Sequence, residues 1–67
     1  MAMTLKAARV NKQMGQIEAS KALGIAQETL SNWELGKTFP TVPQIKKIED
    51  LYGVPYSELI FFTEDSV

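Results

Sequence analysis

The chain has no cysteine and no histidine among its 67 residues. Without cysteine there is no disulfide and no thiolate metal site. Without histidine the commonest general base and the commonest metal ligand are also missing. No apolar run approaches the roughly 18 residues of a membrane-spanning helix, and Met1–Lys6 has no signal-peptide layout. The expectation is a soluble, cytoplasmic, single domain with no metal and no cofactor. At this length it lies near the lower limit for a self-sufficient core, so apolar packing and well-made helix ends, or a partner subunit, must stabilise it. Strand-like alternation between turn signals is also lacking, which points to an all-α fold.

Charge of one sign is missing from one end. Residues 1–48 carry all seven cations and three anions, a net +4, whereas residues 49–67 carry five anions and no cation, a net −5. The overall value of −1 thus conceals a chain polar from end to end. Such asymmetry is a weak pointer toward nucleic acid, since solvated surfaces also show it.

Glycine supplies the punctuation. Gly24, Gly36 and Gly53 each follow a segment of helical period, where a left-handed residue ends a helix. Thr4 caps a first helix of about residues 5–13, with Leu5 and Ala8 facing inward. Gly15 opens a second, Gln16 to Leu23, with Glu18 in the first turn where the helix dipole favours an anion. The third spans Gln27 to Glu34 or Leu35. Thr41-Val42-Pro43-Gln44 forms a capping box that starts a fourth helix through Tyr52, with Ile45, Ile48 and Leu51, and with them Tyr52, at helical spacing. Pro55 precedes a short fifth helix that ends near Phe61 or Phe62 and turns Leu59 inward. The domain is expected over residues 1–62, followed by a short acidic tail, 63–67.

The segment Gln16 to Trp33 carries the specific pattern. Ala19 and Leu23 share a face of the second helix, and Leu30 and Trp33 share a face of the third. Gly24 makes the turn between them, Ile25 fills the space beneath, and Ser20 is small where two axes cross. Helix, three-residue turn, helix is the layout of a helix-turn-helix. A wheel of the third helix puts Leu30 and Trp33 on the buried side and Gln27, Glu28, Ser31, Asn32 and Leu35 on the outer arc.

Over about residues 5–60 the chain resembles the phage Cro and repressor family of helix-turn-helix domains. Arg9, Gln16, Leu23-Gly24-Ile25, Trp33-Glu34-x-Gly36-Lys37, Pro40 and Leu51-Tyr52-Gly53-Val54 carry the resemblance. It implies a lambda-repressor-like five-helix bundle and a transcription regulator that binds a double-stranded DNA operator. By resemblance Gln27 and Asn32 read bases, since side-chain amides pair bidentately with adenine N6 and N7. Ser31 and Glu28 lie on the same arc, and Glu28 is able to accept from cytosine N4. Gln16 matches a phosphate clamp at a helix N-terminus, with Lys37 and Thr38 as further phosphate contacts. Arg9 and Glu34 match a partly buried structural ion pair.

Each assignment has a plainer counterpart. Gln27 and Asn32 could be ordinary solvated residues, and Lys46 and Lys47 read as the wet face of the fourth helix. Trp33 reads as core, not as a base-stacking ring. Phe61 and Phe62 are last core anchors or a dimer seam. Some residues depart from the family pattern. Ala26 stands where a Ser or Thr cap is usual, and Glu28 would face phosphates. Ile17, Leu35 and Phe39, with Val10 nearby, are apolar around the reading face. Several apolar residues around one functional face suit a protein partner. The alternative is therefore a small phage modulator or antirepressor that docks on a partner repressor through Ile17, Leu35 and Phe39. An enzyme finds no support, for no catalytic set or phosphate loop is present.

Overall fold

The architecture is taken from a computed structural model that describes residues 2–61. Strand β1 (Met3–Thr4) leads into α1 (Leu5–Asn11), α2 (Gln16–Leu23), α3 (Gln27–Leu35) and α4 (Val42–Tyr52). A 3-10 turn over Tyr56–Glu58 then gives way to β2 (Leu59–Ile60).

Local chemistry accounts for the helix ends. The Thr4 hydroxyl accepts from the Ala7 N–H at 3.1 Å and caps α1. Gly24 ends α2 at φ 74°, a conformation that costs a side-chain-bearing residue but not glycine. It allows Ile25 N–H to reach the Ser20 carbonyl at 3.0 Å and Gly24 N–H to reach that of Lys21 at 3.1 Å. This double closure is a Schellman ending. The same closure at Gly36 joins Lys37 N–H to the Asn32 carbonyl at 2.9 Å. In α4 the Gln44 side chain reaches back to the Thr41 N–H at 2.7 Å, as a capping box requires.

The core gathers Leu5 and Ala8 from α1, Ala19 and Leu23 from α2, and Leu30 and Trp33 from α3. Ile48 and Tyr52 come from α4, and Val54 and Leu59 from the segment beyond it. Ile25, Leu51, Met3, Met14 and Phe61 pack against it in part. Buried Ala19 and Ser20 let α2 approach its neighbours closely. No helix among the described residues is long and apolar enough to cross a membrane.

Two expectations need correction. The described residues hold four α-helices rather than five, and the fold is mostly helical rather than all-α. The segment expected as a fifth helix makes only one 3-10 turn, with Glu58 N–H bonded to the Pro55 carbonyl at 2.9 Å. It then runs extended and pairs in parallel with β1, Met3 opposite Leu59 and Thr4 opposite Ile60. A segment this short does not repay helix nucleation, while branched and aromatic side chains suit an extended backbone. Helix α1 also stops at Asn11, because Gln13 takes a positive φ of 60°. Leu59 does turn inward. Phe62 and the acidic stretch 63–67 lie outside the described residues.

Candidate nucleic-acid interface

Trp33 and Leu30 bury one face of α3 and so determine what its other face presents. Gln27, Glu28 and Leu35 are exposed, while Ser31 and Asn32 are half-buried on the flanks. Lys37 and Thr38 follow at the exposed end of the helix. The tight α2–α3 turn thus holds up one short polar ridge, with Gln16 at the start of α2 beside its near end.

A polar chain links that ridge to the interior. Arg9 Nε donates to Glu34 Oε2 at 2.7 Å and Nη2 donates to Oε1 at 3.2 Å, a two-pronged pair. A third bond from Nη1 to the Met14 carbonyl at 2.9 Å anchors the guanidinium to the α1–α2 loop. The pair is well shielded, with side-chain exposures of 9 % for Arg9 and 5 % for Glu34. The hydrogen bond to Glu34 raises the Arg9 pKa beyond its ordinary value. The charge of Arg9 is therefore matched inside the domain. Glu34 Oε1 also accepts from Gln16 Nε2 at 3.0 Å. Gln16 Oε1 in turn accepts from Gln27 Nε2 at 3.4 Å, at the exposed end of the chain.

The N-terminus of α2 has no side-chain cap. Its N-cap is Gly15, which has no side chain to satisfy the first-turn N–H groups. Helix α3 likewise starts from Ala26 with no side-chain cap, and Glu28 supplies the first-turn anion.

The apolar residues around this face fall into two sets. Val10, Ile17 and Leu35 are 55 %, 57 % and 48 % exposed. Phe39 is 57 % exposed, but its ring meets Phe61 edge to face at 6.5 Å. Phe61 also stacks at a tilt on Tyr56 at 5.8 Å. These rings, with Pro40 and Ile45, line an open hollow of about 230 Å³. Phe39 therefore belongs to a second cluster, set by the extended path of residues 59–61.

Sequence reasoning missed three features. The Gln16–Gln27 contact depends on how α2 and α3 are juxtaposed, and no residue spacing reports it. Tyr52 packs inward as its helical spacing implies, but its buried hydroxyl has no hydrogen-bond partner among the described residues. Burial, aided by the charge of Glu34, pushes that phenol up to about 12. Glu49 uses its carboxylate to accept from the Tyr56 N–H at 2.6 Å, tying α4 to the 3-10 turn. An acid seven residues before a turn that follows a proline was the only trace of this in the sequence.

The family described as "Helix-turn-helix" matches residues 5–59, most of the chain. The chain is also similar to a protein of Vibrio cholerae, the cryptic phage CTXphi transcriptional repressor RstR. They are 29 % identical over 59 residues, which are 88 % of this chain and 53 % of that protein. The chain thus spans about half the length of that relative. No solved structure matches it significantly. The α2–turn–α3 geometry and the match over residues 5–59 agree, and the chain belongs to the helix-turn-helix family.

Proposed function

We propose that this chain is a DNA-binding transcription regulator of the phage-repressor kind, not an enzyme, which acts in the cytoplasm by laying α3 in the major groove of an operator. The carrying observation is the polar chain from the shielded Arg9–Glu34 pair through Gln16 to Gln27, which ends on the exposed ridge of α3. The transcriptional repressor to which the chain is similar supports the same reading. Gln27 and Asn32 read bases, with Ser31 and Glu28 beside them. Gln16, Lys37 and Thr38 hold phosphates, together with the uncapped N-terminus of α2. Arg9 and Glu34 are the structural pair beneath.

Gel-shift titrations with a selected operator test this. Gln27→Ala and Asn32→Ala each lose about 1–3 kcal/mol of discrimination at one position. Lys37→Ala weakens binding to all sequences and lowers the salt slope by about one contact. Unchanged affinity and salt dependence in all of these variants would remove the groove-reading model.

The exposure of Ile17 and Leu35 beside the ridge favours a second reading, a modulator that docks on a partner repressor or on a second copy of itself. Burial against protein stabilises such side chains by about 25 cal/mol per Å² of apolar surface, and phosphates offer them nothing comparable. In that case Ile17→Lys and Leu35→Lys abolish the complex and leave the fold intact. Tight, specific DNA binding by the pure chain, unaltered by a partner, decides for the first reading.

A further inference from the structure

We propose that the aromatic hollow beside α4 binds a small quaternary ammonium cation of the choline type. The site does not depend on how α3 meets DNA, so its test stands apart from that of the operator reading.

Five residues line the hollow: Phe39, Pro40, Ile45, Tyr56 and Phe61. None of them carries a charge, and the Tyr56 hydroxyl is their one polar side-chain group. Three of the five are aromatic, and they do not cover one another in a parallel stack. Phe39 meets Phe61 at 65° and Tyr56 meets it at 35°, with centroids 6.5 and 5.8 Å apart, so the rings stand as inclined walls. An aromatic face carries negative potential and attracts a cation within about 6 Å of its centre. At about 230 Å³ the hollow is smaller than the roughly 300–1,000 Å³ of a pocket for a drug-sized ligand, and suits a head group.

Charge decides which head group. Glu49 stands four residues after Ile45, on the same side of α4, and its carboxylate accepts from the Tyr56 N–H at 2.6 Å. A bond from a neutral amide leaves the negative charge in place, and no ion pair compensates it among the described residues. Lys46 and Lys47 lie about 100° and 200° around the helix from Ile45. Lys37, two residues before Phe39, is exposed and does not line the hollow. Residues 49–61 carry three anions and no cation. An uncharged apolar guest would fill the space between the rings and gain nothing from Glu49. A primary ammonium brings three N–H donors, for which the lining side chains offer only the Tyr56 oxygen. A quaternary ammonium needs no acceptor, turns methyl groups to the rings and keeps its charge. A carboxylate on the same guest, as in betaine, would meet Glu49, which leaves a choline-type cation.

Amide NMR of the purified chain, titrated with choline chloride against sodium chloride, tests this. Choline should shift the amides of Phe39, Tyr56 and Phe61 saturably, with a Kd on the order of 1 mM for so small a ligand in an open site. The neutral isostere with carbon in place of nitrogen keeps the shape and should bind about two- to thirtyfold more weakly. Glu49→Gln retains an acceptor for the Tyr56 N–H, and should weaken choline but not the isostere. Phe39→Leu removes one ring from an exposed position and keeps the wall apolar, so it should weaken choline about two- to thirtyfold with an unchanged melting temperature. Equal affinity for choline and its isostere, or for choline and betaine, overturns the proposal. So does choline binding that Phe39→Leu and Glu49→Gln leave unchanged, or the absence of any saturable shift. A trimethyllysine peptide that binds more tightly than choline would put the cation on a protein, and overturns the small-molecule assignment.

Discussion

Tyr52 places a phenol hydroxyl in the core without a hydrogen-bond partner among the described residues. An unpaired buried hydroxyl costs about 1–3 kcal/mol. Tyr52→Phe should therefore gain about 1 kcal/mol in denaturant melts at neutral pH, and a loss would mean that the hydroxyl is satisfied. The fold favours the neutral phenol, whose pKa stands at about 12 against 10.0 for an ordinary tyrosine. Its contribution is complete below about pH 10, declines above that as the unfolded chain ionises first, and is lost by about pH 12. Melts of wild type and Tyr52→Phe between pH 9 and pH 12 should therefore diverge, with the variant declining less. Trp33 gives the opposite case, a buried ring whose loss leaves a cavity. Trp33→Ala should cost about 3–5 kcal/mol, comparable with what a core of this size supplies, and cooperative thermal unfolding should disappear. Normal melting with native helicity would mean that the wrong face of α3 has been assigned to the core. That face was legible in advance, because helical period alone separates Leu30 and Trp33 from Gln27 and Leu35. The Gln16–Gln27 contact was not, since it joins residues whose neighbourhood exists only after α2 and α3 pack.

At the scale of elements, the helix ends were the most legible part of the chain. Thr4, Gly24, Gly36, Gln44 and Gly53 act through bonds to residues three to five positions away, and local spacing reports such bonds. Helix α3, like α2 at Gly15, starts without a side-chain acceptor, because its N-cap is Ala26. Ala26→Ser should restore one, worth about 1 kcal/mol and a rise of about 4–8 °C in melting temperature. A flat response would show that the first-turn N–H groups of α3 are already satisfied. The segment after Pro55 was misread for a physical reason. Its extended form depends on β1, at the far end of the sequence, and no local pattern in Tyr56–Phe61 records that partner. The same error hid the aromatic hollow, since a helix would have placed Phe61 elsewhere relative to Phe39 and Tyr56.

For the whole molecule, the β1–β2 pairing joins the first and last described elements, across every helix between them. Deletion of residues 1–4 should remove both that pairing and the Thr4 cap of α1. We expect a melting temperature lowered by at least the roughly 4–8 °C that about 1 kcal/mol of cap energy represents. An unaltered melt would mean that the terminal pair adds nothing. The pairing also has the longest sequence separation in the fold, so in folding it should close late, after the local helices are in place. Its parallel sense governs how the domain would respond to force. Pulling the two ends apart drags β1 and β2 past each other along their length, so the hydrogen bonds between them share the load and fail together, whereas an antiparallel pair pulled from its open end would unzip bond by bond. Both strands also pack on α1, so a load that parted them would be felt there first.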